Sequence, residues 1–222
     1  MREIVLDTET TGLDPGSGHR IAEIACIELE NHLPTGKFFH RYVNPERAMT
    51  AEAEAVHGLG DEFLKKQPLF AEIAGDFLAF VEGATLVIHN ADFDLGFVNA
   101  ELKRLGKKPL DLPVVDTLLM ARKRFPGAPA SLDALCRRYN IDLSGREKHG
   151  AKLDGELTAR VYLELIGGRQ PGLEFARGEG SGAARAASDR PAREARPHAP
   201  APEELALHAR LLAKLKSPLW LG

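Results

Sequence analysis

Cysteine is nearly absent from this chain: Cys26 and Cys136 are the only two, 110 positions apart. That spacing makes neither a disulfide framework nor a metal site. Both lie in apolar runs and are expected to be buried thiols of a reducing compartment. Long hydrophobic runs are missing too, for no stretch approaches the ~20 apolar residues of a membrane span. The opening run Met1–Leu6 reads directly as a strand, without a basic segment or cleavage site before it. The expectation is a cytoplasmic protein with no membrane partner. Internal repeats are absent as well. There is also no surplus of positive charge: residues 1–166 carry 20 Lys and Arg against 26 Asp and Glu, whereas residues 167–222 carry 9 against 6. A body at −6 does not grip nucleic acid by bulk electrostatics, which takes a basic face. Action on nucleic acid through metal ions, or while a partner holds the strand, stays open.

What is present suits a soluble globular domain: 222 residues, 44% hydrophobic and 27% charged. A core of that size needs no covalent staple. Three strand-like runs come first, Ile4–Leu6, Arg20–Glu30 and Lys37–Val43, the last ending at the turn signal Asn44-Pro45. They read as an antiparallel meander. Helical patterns follow over Thr50–Val56, with Thr50 as N-cap, and over Phe70–Val81, where Phe70, Ile73, Ala74, Phe77, Leu78 and Val81 recur at spacings of three and four. Leu86–Ile88 is a compact apolar strand, followed by a helix carrying Phe93, Phe97, Ala100 and Leu105. Val114-Val115 makes a further short strand, and helices around 116–125, 132–139 and 152–166 close the series. Strands first, then strands alternating with helices, predict an α/β fold: a mixed β-sheet flanked by helices.

After Ile166 the composition changes. Residues 167–202 hold 6 Gly, 5 Pro, 9 Ala and 6 Arg, with Leu173 and Phe175 as the only large apolar side chains. Such a segment buries too little to offset its ordering entropy and reads as a flexible linker. A helical stripe returns over 203–215, with Leu205, His208, Leu211, Leu212 and Leu215 on one side, then Trp220. One short helix does not fold alone, so it is expected to dock, and a linker before an apolar helix favours docking on another protein. The expected division is a globular domain at 1–168, a linker at 169–202 and a docking segment at 203–222.

Three short segments concentrate carboxylates. In Leu6-Asp7-Thr8-Glu9-Thr10-Thr11-Gly12, a strand places Asp7 and Glu9 on the same side. They are either an exposed acidic strand end or a pair that repels unless a cation compensates. In Val87-Ile88-His89-Asn90-Ala91-Asp92-Phe93-Asp94 a strand gives way to a helix. Asp92 fits a plain capping role, while Asp94 shares the face of Phe97 and Val98, which points into a core. In Lys148-His149-Gly150-Ala151-Lys152-Leu153-Asp154, Asp154 heads the stripe Leu157, Val161, Leu165 at i, i+3, i+7, i+11, with His149 on the loop before it. Taken singly, each has a bland reading as a cap or a solvated group. Together, four inward-leaning carboxylates and one loop imidazole match what two-metal phosphoryl chemistry needs. Hard divalent cations prefer carboxylate oxygens, two of them ~4 Å apart activate water and stabilise a leaving oxygen, and a near-neutral His accepts the proton. Asp116 heads a helix and reads as a cap rather than a fifth ligand, and His89 and Asn90 read as holders of the strand–helix turn.

The Asp-x-Glu, His-Asn-Ala-x-Phe-Asp and His-x4-Asp motifs, in this order, resemble the DEDDh 3′→5′ exonuclease superfamily. Within it the chain resembles the proofreading branch, the epsilon subunits of bacterial DNA polymerase III. The likeness continues through Val56-His57-Gly58, Asp61-Glu62-Phe63-Leu64, Asp116-Thr117 and Ser131–Cys136. It implies a ribonuclease H-like fold and two Mg²⁺ or Mn²⁺ ions held by Asp7, Glu9, Asp94 and Asp154. His149 is implied as general base, and Glu9, Glu52, His57 and Asp154 as contacts of the terminal nucleotide. The implied reaction is hydrolysis of the 3′-terminal phosphodiester of DNA, releasing a 5′-mononucleotide. In the tail, Gln170, Leu173 and Phe175 resemble the Gln-x-x-Leu-x-Phe peptide (170–175) that enters a sliding-clamp (beta) pocket. Residues 203–220 resemble the segment that binds the polymerase's alpha subunit, with Leu205, Leu211, Leu212 and Trp220 as anchors. A small third core subunit is a further implied partner, and the nucleoid-bound replisome the implied location. Two other readings use the same residues. A free-standing RNA-trimming nuclease needs neither the clamp peptide nor the docking helix, and the intact five-residue set argues against a scaffold with a dead nuclease.

Overall fold

The computed structural model describes residues 1–144, 148–168 and 200–214. It has two compact units, Met1–Phe175 and Ala176–Gly222. The first is built on a five-stranded sheet. The strands are β1 (Arg2–Thr10), β2 (Ile21–Glu30), β3 (Leu33–Tyr42), β4 (Thr85–Ile88) and β5 (Val114–Asp116), in the order β3-β2-β1-β4-β5. β1, β2 and β3 form the expected antiparallel meander, and β4 and β5 add on in parallel to β1. The helices are α1 (Ala51–His57), α2 (Asp61–Leu64), α3 (Phe70–Val81), α4 (Ala91–Arg104), α5 (Thr117–Arg124), α6 (Leu132–Arg138) and α7 (Ala151–Leu165). The mixed sheet flanked by helices is the architecture that the pattern predicts.

β1 runs longer than its apolar Ile4–Leu6 heart because β2 pairs with it from Arg2 to Thr10, through Asp7 and Glu9. Its apolar residues alternate between two covered faces. Ile4 and Leu6 join Ile24, Cys26, Leu86 and Ile88 under α3 and α4, while Val5 joins Ile27, Leu29 and Val87 under α7. Burial on both sides explains why these strands read as nearly continuous hydrophobic runs. α7 lies close to β2 because Gly155 has no side chain there: a Cβ would meet Ile27 Cδ1 at 3.2 Å. Its outward half packs with α5 and α6 through Leu157, Val161, Leu165, Leu132, Leu135 and Cys136. Both cysteines are fully buried.

α3 begins and ends where its periodicity predicts, and the same apolar stripe is what it buries: Phe70, Ile73, Ala74, Phe77 and Val81. Thr50 caps α1, its hydroxyl accepting the Ala53 N–H at 3.2 Å. The cap of α4 departs from expectation. Asp92 is exposed and caps nothing; Asn90 stands at the N-cap in the left-handed region, with φ 74°. The acceptor comes from Asp116, whose Oδ2 takes the Ala91 N–H at 2.9 Å while Oδ1 takes those of Leu118 and Leu119 at 2.8 and 3.1 Å. One carboxylate thus caps two helices, α5 from within the chain and α4 across the sheet. His89 Nδ1 lies 3.0 Å from the Thr117 hydroxyl and holds the same turn.

In the second unit α8 (Pro202–Leu212) is a helix in which Leu205, Leu207 and Leu211 are exposed and Leu212 partly so. Gln170, Leu173, Phe175, Leu215 and Trp220 lie outside the described residues. Among the described residues no helix is long and apolar enough to cross a membrane.

Phe77 is fully buried between the rings of Phe39 and Phe70, at centroid distances of 6.0 and 6.3 Å. Phe77→Ala is expected to lower unfolding free energy by about 3–5 kcal/mol, measured by urea denaturation. A loss under about 1 kcal/mol would show that α3 is not anchored through this ring.

Candidate active site

Parallel β1 and β4 bring their C-terminal ends to one edge, and the expected site residues gather there, as ligand sites do in sheets of this kind. Asp7 pairs in register with Ala25 and Glu9 with Glu23, so both acids project from one face of β1, as the two-residue period requires. Thr8 projects from the other face, and its hydroxyl donates to Asp94 Oδ1 at 2.7 Å. Asp94 is 3% exposed in the first turn of α4, and Asp154 is 4% exposed in the first turn of α7. The strand thus holds two acids, and two helices bring one each.

Their electrostatics are adverse. Burial, then the charges of Asp94, Glu9, Asp154 and Glu23, hold the Asp7 carboxyl well above the usual range. Burial pushes Asp94 up to about 7, against the opposing hydrogen bond from Thr8. A crowd of buried acids that raise one another's affinity for protons is also a crowd with affinity for cations. The donor set is hard oxygen, which suits Mg²⁺ or Mn²⁺. Glu9, Asp154 and His149 each offer one ligand atom within 4.8 Å of the other two.

His149 sits before α7, about half exposed, with Nδ1 3.2 Å from Asp154 Oδ2. Its backbone N–H donates to Val56 O at 3.2 Å, tying this turn to the end of α1. Gly58, the left-handed C-cap of α1 (φ 77°), leaves room for the Lys148 side chain, which a Cβ would meet at 2.8 Å.

Two recesses open on the acids. A cavity of about 630 Å³ is lined by Thr8, Glu9, Leu13, Glu52, Val56 and Phe93, with His57 in its wall. Its mostly apolar walls with a few polar groups are the usual form of a small-ligand site. Glu52 stands exposed on α1. His57 is buried, with Nε2 3.3 Å from Thr10 O and Nδ1 accepting the Leu59 N–H at 3.0 Å. Burial lowers its pKa, against the bond to Thr10 O, and Nδ1, as acceptor of the Leu59 N–H, belongs to the neutral ring. The second recess is lined by Asp7, Asp154, His149, His89, Ser131 and Arg122.

The structure therefore brings together Asp7, Glu9, Asp94, Asp154, His149, Glu52 and His57. Sequence reasoning did not single out Thr8, Glu23 or Arg122. Thr8 lies inside the acidic motif, so the strand alternation that paired Asp7 with Glu9 could have directed it to Asp94. For Glu23 and Arg122 only the tertiary fold supplies the signal.

A family model described as Exonuclease matches residues 4–162. The DNA polymerase III subunit epsilon of Rickettsia prowazekii (strain Madrid E) is 58% identical over 174 residues, covering 77% of this chain and 76% of the relative. That of Escherichia coli (strain K12) is 48% identical over 186 residues, covering 79% and 75%. Among solved structures, exonuclease X in complex with 5′ overhanging duplex DNA superposes with a TM-score of 0.58 at 22% identity, covering 74% of this chain and 90% of that one. The nuclease domain of 3′hExo, a DEDDh family member bound to rAMP, gives 0.63 at 18%, covering 74% and 91%. These two structures share the fold.

Asp94, with its pKa raised from 3.8 to about 7, binds more proton when folded than when unfolded across that interval. Its contribution to stability is therefore full below about pH 4 and is lost as pH rises through about 7. In EDTA, the Tm of wild type is expected to fall more steeply than that of Asp94→Asn between about pH 5 and 8, and saturating Mg²⁺ should raise the wild-type Tm most at the upper end. Parallel profiles for the two proteins would disprove the assignment.

Proposed function

The chain belongs to the epsilon-subunit family of DNA polymerase III and is a 3′→5′ exonuclease; from that premise we propose how its residues carry out proofreading. The observation that carries this reading is the convergence of Asp7, Glu9, Asp94 and Asp154 with His149 beside a cavity fit for one nucleoside. The four carboxylates would hold two divalent ions. When bound, such ions lower the pKa of water and neutralise charge on the phosphate and the leaving oxygen.

The chain's own residues do the rest. Leu13, Val56 and Phe93 take the 3′-terminal nucleoside, and Glu52 offers an acceptor at the rim. His57 shapes the wall as a fixed neutral ring, since both its nitrogens are engaged by backbone. Thr8 fixes the rotamer of Asp94 through its hydroxyl. His149 accepts the proton of the attacking water, and Asp154 beside it stabilises the imidazolium that forms. Arg122 supplies positive charge to the phosphate backbone on the far side of the acids. A phosphorus–oxygen bond forms to water, the bond to the upstream 3′ oxygen breaks, and a 5′-dNMP leaves.

The tail supplies the partners in this reading. Gln170, Leu173 and Phe175 bind the sliding clamp, and Leu205, Leu211, Leu212 and Trp220 bind the alpha subunit. The exposed leucines of α8 support the second assignment. Tethering raises the effective concentration of a frayed 3′ end, which an acidic body does not attract by charge. Residues 1–168 act as the nuclease domain, 169–202 as linker and 203–222 as docking segment, in the cytoplasmic replisome.

Digestion of a 3′-mismatched primer–template and a matching RNA, in Mg²⁺ and in EDTA, tests the chemistry. Wild type is expected to release 5′-dNMP only with metal and faster from the mismatch, and His149→Ala to lose about 10²–10⁴-fold in rate. Asp7→Ala should abolish hydrolysis; wild-type activity in that variant sinks the metal assignment. Preference for RNA would favour a trimming nuclease.

Deleting 203–222 is expected to spare digestion of single strands and to end co-purification with the alpha subunit. Retained co-purification would place the docking surface elsewhere.

A further inference from the structure

α7 begins one residue after Gly150, and Gly150, at its N-cap, has no side chain with which to cap it. The acceptor comes from across the sheet. Glu23, on β2 opposite Glu9, is 3% exposed, and its Oε2 accepts the Ala151 N–H at 3.2 Å. Its other oxygen, Oε1, lies 2.7 Å from Nε2 of His40 on β3, which donates to it. The His40 ring is in turn packed edge-on against Tyr42, centroids 4.9 Å apart. Both oxygens of this buried carboxylate are thus engaged, one by an imidazole and one by the first backbone donor of the helix that carries Asp154. On the other side of the same turn, the His149 N–H is held by Val56 O. The segment 149–151 is pinned at these two backbone points.

A further buried acid beside Asp7 and Glu9 is costly, since like charges in low dielectric repel. Its chain neighbours on β2, Ala22 and Ile24, are buried apolar residues, and a hydrophobic side chain at position 23 would avoid that cost. The arrangement makes sense if the acceptor is needed for the turn it holds. We propose that Glu23, oriented by His40, is a positioning residue for hydrolysis. It fixes the first turn of α7, and through that turn the placement of His149 Nδ1 and Asp154 Oδ2 relative to the acids on β1. Groups that orient metal ligands from behind in this way commonly matter about 10–100-fold to activity or metal affinity. The inference rests on the site reading given above.

The test compares Glu23→Ala, Glu23→Gln and wild type in the full-length protein. Glu23→Ala is expected to lower kcat on a single-stranded oligonucleotide about 10–100-fold, with KM changed less than about threefold because the nucleoside cavity is untouched. Backbone hydrogen exchange over 149–154 should quicken, with exchange in β1 and α3 unchanged. Glu23→Gln keeps an oxygen for the Ala151 N–H and should recover most of both. Wild-type kcat in Glu23→Ala, a lowered Tm with unchanged kcat, or a Gln variant as impaired as the Ala variant would each overturn the proposal. Should wild type fail to hydrolyse DNA, the functional reading falls, while the exchange comparison still decides whether Glu23 anchors the turn.

Discussion

The burial of converging carboxylates is the constraint around which this domain is organised. Asp7, Glu9, Asp94 and Asp154 meet at one sheet edge, where burial first and neighbouring carboxylates second push the Asp7 and Asp94 carboxyls up. A flexible loop would let such groups drift apart. Here each stands on an element that holds it. β1 is paired on both sides with the core strands β2 and β4 and is covered on both faces. Asp94 and Asp154 each occupy the first turn of a helix, where the backbone dipole favours negative charge. The core packing that fixes α4 and α7 is thus also what keeps the acids together, and stability is spent locally to hold a cation-hungry site.

The helices at this site are capped from elsewhere. α4 receives its acceptor from Asp116 on β5, and α7 from Glu23 on β2. A cap supplied across the sheet ties a helix start to a strand end more rigidly than a local Ser or Asp, which moves with its own turn. That explains why Asp92, well placed in sequence to cap α4, is left in solvent. It also explains how two helices of the same sheet come to aim their N-termini at one strand.

Elements with strong periodicity were legible in the sequence. α3 buries its apolar stripe, Leu78 only in part, and the inward face of α7 follows from the spacing of Asp154, Leu157, Val161 and Leu165. α2, at four residues, is too short for periodicity to register. The acidic motifs were legible because strand and helix periods decide which side chains share a face. Glu23 was not: within Ile21–Glu30 it reads as one polar position among several, and only the closing of α7 onto β2 shows what it holds. His57 shows the same limit. Its likeness to a substrate contact stands on sequence, but the two backbone bonds that hold its ring in the cavity wall exist only in the fold.

On the proposed function, the acidity of the domain becomes part of its selectivity. A strand approaching residues 1–166 meets net negative charge, so association by charge alone is weak. Productive binding then depends on the nucleoside cavity, on Arg122 and on cations among the carboxylates. The cavity admits a terminal nucleoside only when its base is free of a partner strand. A paired end must first break its pairing and stacking, whereas a mispaired end has less to lose. Strong electrostatic attraction would help both ends equally and so would shift rate without discrimination. Leaving affinity to a tether and keeping the site itself repulsive lets the difference in fraying decide which ends are cut.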